Sequence, residues 1–394
     1  MMEIDKKTKD FIKEHCNDDV AQLALKFGRH PDVDIRFAIT QIKGMQKARV
    51  KLPELPEYDD IVYPPGLSME QCSSSATARY KASLVSGESF ADLTGGFGID
   101  TMAFARTFKT GVYVEPDREL CDIFENNSTV LGCGNVKVVC STMEDYLPEM
   151  PCVDMIYADP SRRDKNGKRV VELNDLSPNI LSHKDQLLSK CKTLVIKLSP
   201  MLDITILKRQ LPEMRELHIV AVNNECKELV CVIREGDETS GYSITAVNIN
   251  DGEIEVLSGS PEQERQLTPA FADKPCEWLY EPNAAVMKSG LYNTLSHQFD
   301  INKLAPNTNL FTSMGAIDRF PGRRFKVLEV LRYRPKENCK ELESFQCASV
   351  AVRNFPVAAE ELRKSLKIKD GNDRYIFGTT LLSGEKVLVV CNRE

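Results

Sequence analysis

Ser89 to Thr101 (Ser-Phe-Ala-Asp-Leu-Thr-Gly-Gly-Phe-Gly-Ile-Asp-Thr) constrains the fold more than any other stretch of the chain. A short apolar run, Phe90 and Ala91, stops at an acid, Asp92. Gly95, Gly96 and Gly98 follow, and Met102 to Phe108 then carries apolar residues that fit a helix. A strand, a tight turn and a helix in that order open a nucleotide-binding βαβ unit. Glycines suit the turn because a side chain there would hold the backbone away from a ligand. The helix after the turn aims its free N–H groups at the same place.

The dinucleotide fingerprint G-x-G-x-x-G fails at its last member, because counting from Gly96 and Gly98 puts Thr101 at the third glycine position. What stands here is Asp92-x-x-x-Gly96-x-Gly98, an acid before the turn, which suits a ligand with a cationic amino-acid end better than a pyrophosphate. A glycine-rich loop with no ligand is the plain alternative. A second acid argues against it. Glu115 closes the run Gly111-Val-Tyr-Val-Glu115, 23 residues past Asp92, near the spacing of about 20 at which an acid on the next strand grips ribose hydroxyls.

Three segments, Asp92-Leu-Thr-Gly-Gly-Phe-Gly-Ile-Asp100, Val112-Tyr-Val-Glu-Pro-Asp117 and Tyr157-Ala-Asp-Pro-Ser-Arg-Arg163, resemble class I S-adenosylmethionine-dependent methyltransferases. More narrowly, the chain is similar to bacterial methyltransferases with a C-terminal THUMP-like domain, which implies RNA as the substrate. The resemblance implies S-adenosyl-L-methionine as cofactor, with Asp92, Thr94, Gly95, Gly96, Gly98, Asp100, Glu115, Met143 and Asp159 around it. It implies that Asp159, Pro160, Ser161 and Arg162 hold the acceptor group near the methyl donor. It further implies that Gln71, Ser74, Thr77 and Lys81, in a segment dense in small and hydroxyl residues, line the edge of the pocket; tight helix packing explains the same density.

The 394 residues, 42% of them hydrophobic, suffice for two domains and a small third. No run of about 18 apolar residues occurs, so no membrane span is expected, and the charged N-terminus lacks the apolar core of a signal peptide. The 13 cysteines contain no C-x-x-C pair and only five histidines accompany them; a metal site or disulfide framework is not expected, and reduced thiols in a cytoplasmic protein are. A net charge of −7 argues mildly against nucleic acid. Two basic runs argue the other way: Arg162, Arg163, Lys165, Lys168 and Arg169 beside the presumed site, and Arg319, Arg323, Arg324, Lys326, Arg332, Arg334 and Lys336 further on. Charge runs are commonly solvated faces; here they suggest a polyanion such as RNA, with Arg163, Lys165 and Lys197 as phosphate contacts.

The expected organisation is an N-terminal helical region (1–86), a Rossmann-like α/β methyltransferase domain (87–235) and an α+β region (236–394) that includes the THUMP-like domain. In the first, Asp5–Glu14, Asp18–Phe27 and Phe37–Gln46 carry helical periodicity, Pro53 to Pro65 form an irregular linker, and Leu67 to Ala82 read as one helix. In the second, strands at Ser89–Asp92, Gly111–Glu115, Val136–Cys140, Met155–Ala158, Thr193–Leu198, Leu217–Val222 and Leu229–Arg234 alternate mostly with helices, predicting a parallel sheet with ligands at the strands' carboxyl ends. The last two strands, joined by Asn223 to Glu228, read as an antiparallel hairpin. In the third, the resemblance rests on Glu281-Pro-Asn-Ala-Ala-Val-Met, Leu304-Ala-Pro and Arg353-Asn-Phe-Pro.

Amino methyltransferases of nucleic acid often follow Asn/Asp-Pro with a proline and an aromatic that stacks on the base; Ser161 and Arg162 stand there instead, so a flipped adenine lacks its usual stacking face. Carbon methylation of pyrimidines needs a cysteine nucleophile, and the segment Val195-Ile-Lys-Leu-Ser-Pro has none. The expectation is methylation of an RNA-base nitrogen. A methyltransferase of a small molecule or protein side chain, and a non-catalytic cofactor- or RNA-binding module, stand as alternatives.

Overall fold

The computed structural model describes residues 4–28, 32–162, 173–236, 241–343, 347–371 and 374–394. The chain divides into two units, Met1–Arg215 with Val230–Glu238, and Glu216–Leu229 with Thr239–Glu394.

The first unit begins with three helices, α1 (Lys6–Glu14), α2 (Val20–Phe27) and α3 (Ile35–Lys51). Each starts at an aspartate (Asp5, Asp19, Asp34) whose carboxylate accepts a free backbone N–H of the first turn. Their apolar faces meet in a cluster of Phe11, Ile12, Leu23, Ile35, Ala38 and Ile42. The proline-rich segment that follows is held by two side-chain clamps. Gln41 gives Nε2 to Tyr63 O (3.0 Å) and takes Tyr63 N–H (2.7 Å). The buried Asn127 does the same for both backbone groups of Val62, at 2.9 and 2.8 Å. The expected single helix at 67–82 is two, α4 (Gly66–Gln71) and α5 (Ser75–Ser83). Ser74 breaks it by capping α5, accepting Thr77 N–H at 3.2 Å, the competition for backbone groups that makes serine a better cap than interior residue.

Five parallel strands follow: β1 (Ser89–Asp92), β2 (Thr110–Glu115), β3 (Val136–Cys140), β4 (Val153–Ala158) and β5 (Cys191–Leu198), in the order β3-β2-β1-β4-β5. The reversal of strand order beside β1 puts a ligand crevice at the carboxyl ends of β1 and β4. Helices α6 (Ile99–Ala105) and α7 (Arg118–Val130) carry the chain between the first strands. The glycine-rich turn draws α6 forward, so that it starts three residues before the expected Met102.

In the second unit β6 (Glu216–Val222) turns into β7 (Glu225–Arg234), which passes into the first unit at Val230, through Asn223 and Asn224, both at positive φ, the two-residue hairpin that asparagines favour. β8 (Ser243–Asn250) pairs parallel with β6 and antiparallel with β9 (Glu253–Gly259). A seven-stranded sheet then forms from β10 (Trp278–Pro282), β11 (Asn302–Ala305), β12 (Thr308–Ser313), β13 (Gly322–Arg332), β14 (Ser349–Arg353), β15 (Tyr375–Thr380) and β16 (Lys386–Arg393), ordered β11-β12-β10-β13-β16-β15-β14. All its pairs are antiparallel except β14 with β15. Leu279, Leu304, Leu310, Phe325, Phe377 and Val389 make the core on one of its faces.

Candidate active site

The glycine turn is set by packing as much as by freedom. Gly98 sits at φ 81° as the cap of α6, and a Cβ there would lie 2.1 Å from the Phe124 ring. Gly96, at φ 54°, differs: the nearest atom to a Cβ would be Thr94 O at 3.9 Å, so its backbone borders open space. Tyr113 Oη donates to Gly96 O (2.6 Å), and Gly96 N–H donates to Glu115 Oε2 (2.9 Å). Glu115 Oε1 takes Asp117 N–H at 3.1 Å. A carboxylate has about four acceptor positions, so Glu115, half-buried at the end of β2, retains capacity for hydroxyl donors. Gly95 N–H is bonded to Val114 O at 2.8 Å. These features fit a ribose-bearing cofactor laid against Gly96.

Asp92 is turned inward and is 1% exposed. Its Oδ1 accepts Thr94 N–H (3.0 Å) and its Oδ2 accepts Thr101 Oγ1–H (2.5 Å). Burial pushes its carboxyl up to about 7; the Asp100 and Asp159 charges add to this, and the two threonine donors oppose it. Thr94 also accepts Asp159 N–H on its hydroxyl at 2.7 Å, tying the β1 turn to the end of β4.

Asp159 Oδ2 takes Lys197 Nζ at 2.5 Å, from the adjacent strand β5, with the lysine side chain 12% exposed. Lys197, expected as a phosphate contact, is thus committed to Asp159. Pro160 follows, and Ser161 and Arg162 form a short antiparallel bridge with Leu176 and Ser177. The Arg162 side chain, Arg163, Lys165, Lys168 and Arg169 lie outside the described residues.

Beneath the turn lies a buried ionic cluster. Lys81, fully buried, stands 3.2 Å from Asp100 Oδ1 and donates to Ser73 Oγ at 3.1 Å. Ser73 Oγ and Tyr157 Oη each donate to Asp100 Oδ2 at 2.7 Å. Burial acts to raise the Asp100 carboxyl, but Lys81, Lys197 and the two hydroxyls outweigh it and hold it below the usual carboxylate range. Thr77 and Lys81 therefore face the interior. Thr77 and Ser74 bond each other, Gln71 is exposed at the end of α4, and Met143 is a buried residue opening the short helix Met143–Tyr146 after β3. Ser73, Thr101 and Tyr157 were not among the expected site residues. Thr101 carried a signal: a hydroxyl residue where the fingerprint asks for glycine is in reach of the acid ending β1.

Five of the seven bases in the second run are paired with acids. Arg324 pairs with Asp318, Lys326 with Glu277, Arg332 with Glu385, Arg334 with Glu337, and Arg323 with Glu281. Among the described residues no group of three or more potential ligands could hold a metal ion, and no helix is long and apolar enough to cross a membrane. All 13 cysteines are free thiols.

Residues 278–321 match a family model described as a ferredoxin-like domain, and residues 322–393 one described as THUMP domain-like. Over all of both chains the protein is similar to a crystal structure from Porphyromonas gingivalis W83, described as a proposed methyltransferase, with 29% identity and a TM-score of 0.87. It also aligns over 40% of its length with 96% of a proposed methyltransferase from Streptococcus mutans in complex with SAH (11% identity, TM-score 0.31), and over 40% with 93% of an rRNA methylase from Streptococcus thermophilus (13%, 0.29). No curated protein matches. The chain has the Rossmann-like sheet of class I methyltransferases, an N-terminal helical region and a C-terminal α+β THUMP-like domain. The full-length likeness supports a methyltransferase.

Proposed function

We propose that this chain is an S-adenosylmethionine-dependent methyltransferase that acts on a nitrogen of an RNA base. The observation that carries the reading is the Gly96 backbone, open to a ligand and flanked by Glu115 on one side and the Thr94–Asp159 tie on the other. S-adenosylmethionine would supply an electrophilic methyl group. Glu115 would accept the ribose hydroxyls, and the turn 93–98 would meet the amino-acid end. Asp92 serves that turn from inside, through Thr94 and Thr101. Met143 would lie beside the adenine, and Asp100 would hold the floor through Ser73, Lys81 and Tyr157.

Transfer to an amine depends on aligning its lone pair with the methyl group. The Asp159 carboxylate and the Pro160 carbonyl are acceptors for the two amine N–H groups. Lys197 fixes the orientation of Asp159, so it is a positioning residue in this reading. RNA as substrate draws on the THUMP-like domain and the basic segment after Asp159. Pairing of five of the seven bases in the 319–336 run favours the second reading, a small-molecule or protein acceptor.

Methyl transfer from labelled S-adenosylmethionine to total RNA, followed by nucleoside mass spectrometry, tests the proposal. An N-methylated base is expected, and label confined to protein or small molecules would refute the RNA assignment. On the cofactor side, Glu115→Ala should weaken S-adenosylhomocysteine binding by about 1.5–3 kcal/mol in calorimetry, the scale of a charge-assisted hydrogen bond.

A further inference from the structure

Two of the sequence motifs that carry the THUMP-like resemblance, Glu281-Pro-Asn and Arg353-Asn-Phe-Pro, meet in the second unit. Glu281 lies in β10, 4% exposed, directly opposite Arg323 of β13. Arg323 donates Nε (2.8 Å) and Nη2 to Glu281 Oε2, and Arg353, at the end of β14, donates Nη2 to Oε1. Elsewhere in the 319–336 run each paired base has its own acid; here two guanidiniums share one carboxylate. One positive charge is left over on side chains that are 31% and 36% exposed.

Behind them the hydrogen bonding is incomplete. Arg353 gives Nη1 to Val352 O at 2.7 Å, but its buried Nε finds no hydrogen-bond partner among the described residues. Nor does the hydroxyl of Thr379, which is 0% exposed and is the register partner of Arg353 on β15. Glu281, Arg323, Arg353 and Thr379 all point to the face of the sheet that carries Leu279, Phe325 and Phe377. A buried carboxylate shared by two arginines is weak evidence for stability, because desolvation offsets the attraction. It does hold two planar donor forks side by side, the arrangement that recognises phosphate oxygens.

We propose that Arg323 and Arg353, clamped on Glu281 with Thr379 behind them, form a subsite for one phosphate of the RNA substrate. The proposal rests on the RNA reading above. Solvent reaches the two guanidinium edges, so a phosphate enters there. Its oxygens accept from Nη1 of Arg323 and, as Arg353 exchanges its bond to Glu281 Oε1 for the phosphate, from Nε of Arg353 and the Thr379 hydroxyl that this movement uncovers.

The test is binding of a 12-nucleotide oligouridylate to the full-length chain by fluorescence anisotropy across a salt series. Arg353→Gln should weaken binding at least about 10-fold and lower the salt slope by about 0.7, one single-strand phosphate. Thr379→Val keeps the shape and removes only a hydroxyl; it should weaken binding about 3-fold with the slope unchanged. Thermal unfolding of each variant checks the fold, and wild-type affinity in both would overturn the proposal. A parallel arm compares melting in 10 mM inorganic phosphate and in chloride at equal ionic strength. If the wild-type chain binds no RNA, yet phosphate raises its melting point and not that of Arg353→Gln, the RNA reading fails and the anion subsite stands. No phosphate effect and no RNA effect together overturn the subsite.

Discussion

The two ends of the parallel sheet in the first unit treat a carboxylate in opposite ways. At the amino end, Asp154 near the start of β4 is a fastener. Its Oδ2 accepts Glu88 N–H (2.8 Å) and Ser89 N–H (3.0 Å), and its Oδ1 takes Lys192 Nζ (2.7 Å). The Lys192 bond and the two backbone donors hold its carboxyl down at about 2. At the carboxyl end, Asp92 is buried with only threonine donors, within the field of two other acids, and stands at about 7. One strand end joins charge to stability; the other buries an acid whose carboxyl is raised to about 7. A carboxyl raised by burial beside a crevice is one criterion for a candidate functional site.

The largest effect expected from this contrast is on the pH dependence of stability. An acid held above its ordinary 3.8 stabilises the fold below about pH 4, and that contribution is lost as pH rises to about 7. The difference of about 3 units corresponds to about 4 kcal/mol at most. Asp92→Asn can still take Thr94 N–H on its oxygen and meet Thr101 with its amide. Denaturant titrations between pH 4 and 7 should therefore show the wild type losing stability relative to this variant. Parallel curves for the two would mean that burial does not raise the Asp92 carboxyl.

Next in size is the acceptor side of the crevice. Asp159→Ala should keep S-adenosylhomocysteine affinity and lose methyl transfer by about 10²-fold or more, the range for removing a positioning group. Lys197→Met should lower kcat with little change in cofactor affinity, and Lys197→Arg should restore part of it, which a purely structural lysine would not do. Transfer by Asp159→Ala at the wild-type rate would place the acceptor elsewhere.

How much of this was legible follows from how local each signal is. β1 and β3 have the expected bounds because their residues alternate between apolar runs and turn residues within a few positions. The glycine turn and the place of Glu115 at the end of β2 were legible for the same reason, at a spacing the βαβ unit fixes. The buried position of Lys81 was not, since its partners Asp100 and Ser73 come together only in the folded chain. The break at Ser74 was missed because a run of small residues scores alike as helix and as cap. The basic run 319–336 is plain in sequence, but its partial pairing with Glu277, Glu281, Asp318 and Glu385 depends on strand pairing and loop placement in the second unit.

The smallest effect is expected at the amino end, and it decides whether the two ends are as different as they look. Asp154→Asn keeps an oxygen for the Glu88 and Ser89 N–H groups and loses only the charge opposite Lys192, a side chain 71% exposed that solvent readily takes up. A cost of about 0.5–1.5 kcal/mol at pH 7 is the scale of one such hydrogen bond. Because the folded carboxyl lies below its ordinary 3.8, its contribution is present above about pH 4 and is lost as pH falls toward 2. The Asn variant should thus converge on the wild type in acid and fall below it toward pH 7, where Asp92→Asn instead rises above it, while S-adenosylhomocysteine affinity stays unchanged. A drop in cofactor affinity in Asp154→Asn would show that β1 transmits strain from its start at Ser89 to the turn at Gly96, and that the fastening end also sets the crevice.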